Sequence, residues 1–171
     1  IGVADDPGMH SSQNEQDSRH YAIAAKLPMV EPTDSGECKE FVKAAYEMSE
    51  AFDTPVILRL NTRISHSQSV VELCDRTEKP LVPYEKNPAK RVMMPGNAKK
   101  QHVVVEERLR RLAEYANNCP FNRVEDREGA KLGIITSGPS YQYAKEVFGD
   151  TAAFLKIGMP NPLPDRLILD F

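Results

Sequence analysis

The sequence predicts an α/β protein, and three observations carry that prediction. Strand-like and helical periodicities alternate through the first third of the chain. The run TPVILRLN (54–61) is aliphatic and β-branched almost without interruption, as suits a strand covered on both faces. The same alternation restarts beyond a Pro-rich stretch in the middle. With 171 residues, 40% apolar and 27% charged, the composition is that of an ordered globular chain of one domain or two small ones.

The elements follow in order. IGV reads as the end of a strand and leads into a long polar stretch, DDPGMHSSQNEQDSRHYA (5–22). Tyr21, Ile23, Ala24, Ala25 and Leu27 then form a short helix stopped by Pro28, and MVEP is a brief buried strand. Asp34 with Glu37 three residues on is a capping-box-like start, and Cys38, Phe41, Val42, Ala45, Met48 and Phe52 follow at helical spacing. After the 54–61 strand, SHSQSVVEL offers either a last strand or an exit arm. Strand, helix, strand, helix, strand is the order of a parallel sheet flanked by helices.

From Asp75 to Lys100 the composition changes. Pro80, Pro83, Pro88 and Pro95 punctuate a basic, weakly periodic stretch that reads as an extended tether, without helix or interior strand, between two α/β units. Beyond it, Val105, Leu109, Leu112 and Ala116 mark one face of a helix whose other face carries Glu106, Glu107, Arg110 and Arg111. KLGIITSG is a strand ending in a small-residue turn, PSYQYAKEVFG a helix with Pro139 at its start and Gly149 at its end, and AAFLKIG another strand. MPNPLPDRLILDF begins a Pro-rich crossover into a further element.

Charge and composition narrow the function classes. A formal charge of −3 gives no footprint for nucleic acid, and no apolar run approaches the roughly 20 residues of a membrane span. Cys38, Cys74 and Cys119 are isolated and odd in number, so they imply neither a disulfide framework nor a Cys-x-x-Cys metal pair. A reduced, cytoplasmic setting is the simpler inference. The chain starts without Met, inside a strand-like run, and ends as abruptly, which reads as an internal stretch of a longer protein.

Candidate chemistry is sparse. IITSGPSY places hydroxyls and backbone N–H groups at a helix start, as phosphate loops do, but it lacks Gly-Lys-Ser/Thr, and capping by Ser137 or Ser140 is the favoured reading. The histidines have no metal spacing, and His20, His66 and His102 read as surface or boundary residues. His10 differs because it sits in a polar loop directly after a strand, where ligands of parallel sheets collect. Two readings of that loop stand side by side. Asp5, Asp6, His10, Ser11, Ser12, Gln13, Asn14 and Glu15 either face a polar ligand or form a solvated turn in which Ser11 or Ser12 caps the next helix.

The long motif ADDPGMHSSQNEQDSRHYA, followed by EPTDSGECKEFVKAAYEMSEAFDTPVILRLNTRISHS, resembles the thiamine-diphosphate-dependent 2-oxoacid:ferredoxin oxidoreductases, specifically their indolepyruvate:ferredoxin α subunits. ITSGPSYQYAKEVF and LKIGMPNPLPDRLILDF are similar to the same family, so the resemblance covers nearly the whole chain. It implies that residues 1–74 are the carboxyl-terminal part of a pyrimidine-binding-type parallel-sheet domain. It further implies that 75–100 is the Pro-rich linker and 101–171 the start of a transketolase C-terminal-like α/β domain.

The resemblance also implies an activity: oxidative decarboxylation of aryl pyruvates, indolepyruvate above all, to acyl-CoA, with electrons leaving through iron-sulfur clusters to ferredoxin. Its partners would be a β subunit, ferredoxin, the 2-oxoacid and CoA. Thiamine diphosphate, Mg²⁺ and the clusters would be held by motifs outside residues 1–171, so this stretch alone is expected to be inactive and to hold no cofactor tightly. His10 is the implied catalytic residue, with Asp6, Met9, Ser11, Ser12 and Gln13 facing substrate or cofactor and no metal ligands among them. The loop is longer by a residue than the related transketolase-type loop. Competing expectations are a noncatalytic ligand-binding or assembly module on this fold, and a transketolase-like carbon-carbon transferase.

Overall fold

The structure, a computed structural model, describes residues 16–171. Helix α1 (Ser18–Ala25) is capped by Asp17, whose carboxylate accepts from the Arg19 N–H at 3.1 Å. It ends not at Pro28 but at Lys26, which turns left-handed (φ 56°) and donates its N–H to the Ala22 and Ile23 carbonyls. Strand β1 (Met29–Val30) then leads to α2 (Ser35–Phe52).

Helix α2 has the predicted start. Asp34 Oδ1 accepts from Glu37 N–H at 2.9 Å, and Glu37 Oε2 reaches back to the Thr33 N–H and hydroxyl, each at 2.9 Å. Its buried stripe is Phe41, Ala45 and Met48, while Cys38 is only half-buried. Strand β2 (Ile57–Leu58) pairs parallel with β1, Met29 opposite Ile57 and Val30 opposite Leu58. The strand predicted across 54–61 is thus ordered as a ladder over two residues only. SHSQSVVEL forms no strand: α3 (Thr62–His66) takes its first residues, and the rest is an irregular exit arm.

The Pro-rich stretch differs from its prediction at its carboxyl end. It contains the single-turn helix α4 (Pro88–Arg91), and the long α5 (Pro95–Ala116) begins within it. Pro88 and Pro95 sit in the first turns of these helices, where the missing N–H has no intrahelical partner to lose. Residues 67–87 and 92–94 are irregular.

The second sheet is mixed. Strand β4 (Gly133–Ser137) and strand β5 (Ala153–Ile157) are parallel, and β3 (Arg123–Glu125) pairs antiparallel on the other side of β5, giving the order β3-β5-β4. Helix α6 (Ser140–Phe148) and a 3₁₀ turn lie between β4 and β5, and α7 (Asp165–Asp170) follows. The α7 N-terminus is satisfied by Asn117 Oδ1, which accepts from the Arg166 and Leu167 N–H groups at 3.0 and 3.1 Å.

The two sheets meet beyond β5. Met29 N–H donates to Asn161 O and Glu31 N–H to Gly158 O, both at 2.8 Å. Gly158 has to be glycine, because a Cβ there would run into the Phe121 carbonyl oxygen. The largest apolar cluster joins Val30, Phe41, Met48, Val56 and Leu58 to Leu112, Ala116, Phe121 and Met159, so residues on both sides of the Pro-rich stretch share one core. Phe41 and Phe121 meet edge to face, with ring centroids 4.8 Å apart. Among the described residues no helix is long and apolar enough to cross a membrane.

Candidate functional site

Charged residues gather at the carboxyl ends of the strands. Glu31 directly follows β1 and Arg59 directly follows β2, and the two side chains, 4% and 2% exposed, form an ion pair through Arg59 Nη1 and Glu31 Oε1. Asp17 Oδ1 lies 4.0 Å from Arg59 Nη2, and Arg19 grips Asp17 with Nε at 2.9 and 3.0 Å and Nη2 at 2.7 Å. The order Glu31, Arg59, Asp17, Arg19 is a ladder of alternating sign that ties both strand ends to the start of α1. The Arg19 hydrogen bond holds the Asp17 carboxyl at about 2, below the usual carboxylate range.

The ladder is not saturated. Among the described residues Arg59 Nε and Nη2 and Glu31 Oε2 are buried without a hydrogen-bond partner. The other side of Glu31 packs against the β4–α6 turn. Gly138 has φ +53°, and a Cβ there would lie 2.6 Å from Glu31 Oε1, so both the backbone and the close approach require glycine.

This contact bears on the phosphate-loop reading of IITSGPSY. A carboxylate occupies the approach to the turn, which disfavours a bound anion. The α6 N-cap is Pro139, and neither Ser137 nor Ser140 caps the helix through its side chain, contrary to expectation. The turn that leads into α6 therefore packs against the Glu31 carboxylate.

A second charge group lies beside the first. Lys156, 3% exposed and next to last in β5, pairs with Glu37 Oε1 and lies 5.9 Å from the Phe41 ring centroid and 5.5 Å from that of Tyr141. Burial pulls its ammonium down to about 8, with the nearby Asp34 charge countering. Gln142 Nε2, on α6, donates to Asp34 Oδ2 at 3.3 Å and Thr33 Oγ1 at 3.5 Å, so the α2 cap, β5 and α6 share one polar seam.

His10, Asp6, Met9, Ser11, Ser12 and Gln13 lie outside the described residues. His20, His66 and His102 are exposed, as expected. Among the described residues no group of His, Cys, Asp and Glu is arranged to hold a metal, and the three cysteines are apart: Cys38 half-buried, Cys74 exposed, Cys119 buried. Sequence reasoning missed Glu31, Arg59 and Lys156. The signal was present: each is a lone charge inside or directly after an apolar run, MVEP, VILRLN and AFLKIG, where only a paired charge is tolerated.

No family model matches the chain. Against curated proteins it is 42% identical over 181 aligned residues, all of this chain, to the indolepyruvate oxidoreductase subunit IorA of Thermococcus kodakarensis. It is 43% identical over 99% of its length to that of Archaeoglobus fulgidus, and 40% identical over 98% to that of Methanothermobacter marburgensis. The chain belongs with the IorA subunits. It spans 28% of the length of each of these relatives. The ladder thus lies in a stretch that aligns with part of the IorA subunits. What the geometry can do chemically is hold the strand ends and the α1 start in fixed relation, since its charges alternate in sign along the ladder.

Proposed function

We propose that the parent of this chain is an indolepyruvate:ferredoxin oxidoreductase α subunit, which oxidatively decarboxylates aryl pyruvates to acyl-CoA and passes the electrons to ferredoxin in the cytoplasm. The observation that carries this reading is about 40% identity to IorA subunits along essentially the whole chain. Its partners are a β subunit, ferredoxin, the 2-oxoacid and CoA. Residues 1–74 act as the carboxyl-terminal part of a pyrimidine-binding-type domain and 101–171 as the start of a transketolase C-terminal-like domain. Thiamine diphosphate, Mg²⁺ and the iron-sulfur clusters belong to parts of the parent outside residues 1–171, where the family resemblance puts their motifs.

In this reading the opening loop supplies His10 to the reacting 2-oxoacid, and the charge ladder supports the place where the loop ends. A positioned imidazole hydrogen-bonds the alkoxide that forms at the keto carbon or moves its proton. His10→Ala in the full-length enzyme is expected to lower turnover by roughly 10²- to 10⁴-fold with little change in melting temperature. His20→Ala, on the exposed side of α1, is expected to leave turnover near normal. Steady-state rates and thermal melts of both variants test this, and near-normal turnover for His10→Ala would return the loop to a capped, solvated turn.

A further inference from the structure

The segment between α3 and α4 is longer than its span requires. The Ser67 hydroxyl lies 3.1 Å from that of Ser35 at the start of α2, and Lys90 pairs at 2.7 Å with Asp53 just past its end. The 18 residues of α2 rise about 27 Å, a distance that roughly eight extended residues cover. The chain spends the whole of Ser67 to Lys90 on it.

The surplus falls in two parts, about seven residues between Ser67 and Lys79 and about eight between Lys79 and Lys90. The first part tracks α2: Lys39 Nζ donates to Glu72 O, Lys43 Nζ is 3.4 Å from Cys74 Sγ, and Lys79 pairs with Glu47 at 3.2 Å. From Lys79 to Lys90 the chain then has only the rise from Glu47 to Asp53 to cross, about 9 Å. The second part of the surplus falls in PLVPYEKN (80–87). Leu81, Val82 and Tyr84 are 98%, 88% and 74% exposed there, and the contact described for Tyr84 is the Arg91 guanidinium 5.3 Å from its ring centroid.

Single exposed apolar residues are ordinary on protein surfaces. Three within four positions, set between Pro80, Pro83 and Pro88, are not the makings of a solvated connector. The prolines hold the stretch extended and reduce the entropy lost when it is bound, the property that Pro-rich recognition peptides exploit.

We propose that Pro80–Tyr84 is a docking peptide that seats, extended, in an apolar, aromatic-lined groove on a part of the parent polypeptide outside residues 1–171. The relatives supply the reason for that occupant: this chain covers 28% of their length, so most of the parent's surface lies beyond the described residues. Covalent connection raises the effective concentration of the peptide at such a groove. Residues 80–84 carry no charge, while Lys79, Glu85 and Lys86 flank them, which fits an apolar groove with a polar rim.

Hydrogen exchange on the full-length parent polypeptide, purified free of other subunits, tests the proposal without reference to turnover, so its outcome is separate from that of the proposed reaction. The amides of Leu81, Val82, Tyr84 and Glu85 are expected to exchange at least about 100-fold more slowly than in an unstructured peptide. Leu81→Asp with Tyr84→Asp is expected to bring them within about threefold of peptide rates. Peptide-like rates in the unmodified protein would overturn the proposal whatever the variant's yield. So would protection that the double variant leaves intact, or protection that appears only with a second subunit type or with self-association, which would assign the groove to another chain.

Discussion

Arg59 is the residue whose loss the fold should feel most. Its guanidinium is 2% exposed and neutralises a Glu31 carboxylate that is equally cut off from water. Arg59→Met leaves that carboxylate unpaired and is expected to cost about 3–5 kcal/mol in equilibrium unfolding. Glu31→Leu together with Arg59→Met removes both charges and is expected to recover most of the loss, because a buried pair gives little net stability over apolar side chains of similar volume. Failure of the double variant to recover would mean that the pair does more than neutralise itself. Gly138→Ala places a methyl against Glu31 at a left-handed backbone position, and a loss of roughly 1–3 kcal/mol is expected.

Lys156 predicts a pH dependence of definite sign. It is faced by Glu37 and Asp34 and by the rings of Phe41 and Tyr141, and its folded value of about 8 lies below the ordinary 10.5. The unfolded chain therefore binds this proton more tightly, and stability should rise as pH goes from about 8 to 10.5. Lys156→Met should flatten that rise, measured as urea midpoints across the range; an unchanged slope in the variant would assign it to another group. Glu31, Arg59 and Lys156 were visible in the sequence as lone charges in apolar runs. Their pairing was not, because Arg59 meets Glu31 and Lys156 meets Glu37 across distant segments of the chain.

At the scale of elements, local chemistry was the most legible. The Asp34 and Glu37 box starts α2 as the sequence predicts, and Asp34→Ala is expected to cost about 1 kcal/mol by thermal or urea unfolding. An effect near zero would show that the Thr33 to Glu37 bonds carry the cap alone. The longer helices, β4 and β5 were readable from periodicity. The helical starts at Pro88 and Pro95 were not, because four prolines in one stretch look like breakers until two prove to occupy first turns. Strand β3 escaped notice because three residues, RVE, mostly exposed at a sheet edge, leave no period to detect. The 54–61 run promised a long strand, but only Ile57 and Leu58 find a partner in β1.

At the scale of the molecule, sequence resemblance carried what periodicity could not. Nothing in the spacing of residues separates a ligand-facing opening loop from a solvated one, and the loop lies outside the described residues. Shared packing across the Pro-rich stretch was also illegible, since Phe41 meeting Phe121 is a contact between distant segments. If the cofactor motifs lie elsewhere in the parent, residues 1–171 alone bind thiamine diphosphate and Mg²⁺ weakly. Calorimetric titration should then find no submicromolar affinity, which would correspond to more than about 8 kcal/mol.

The most direct measurement is ferredoxin reduction by the full-length parent assembled with the β subunit proposed for it, supplied with indolepyruvate, CoA and thiamine diphosphate. The proposed function predicts reduction that requires both the aryl pyruvate and CoA, and that falls by roughly 10²-fold or more in His10→Ala. Absence of ferredoxin reduction with any aryl pyruvate, from an assembled and cofactor-loaded enzyme, would contradict it.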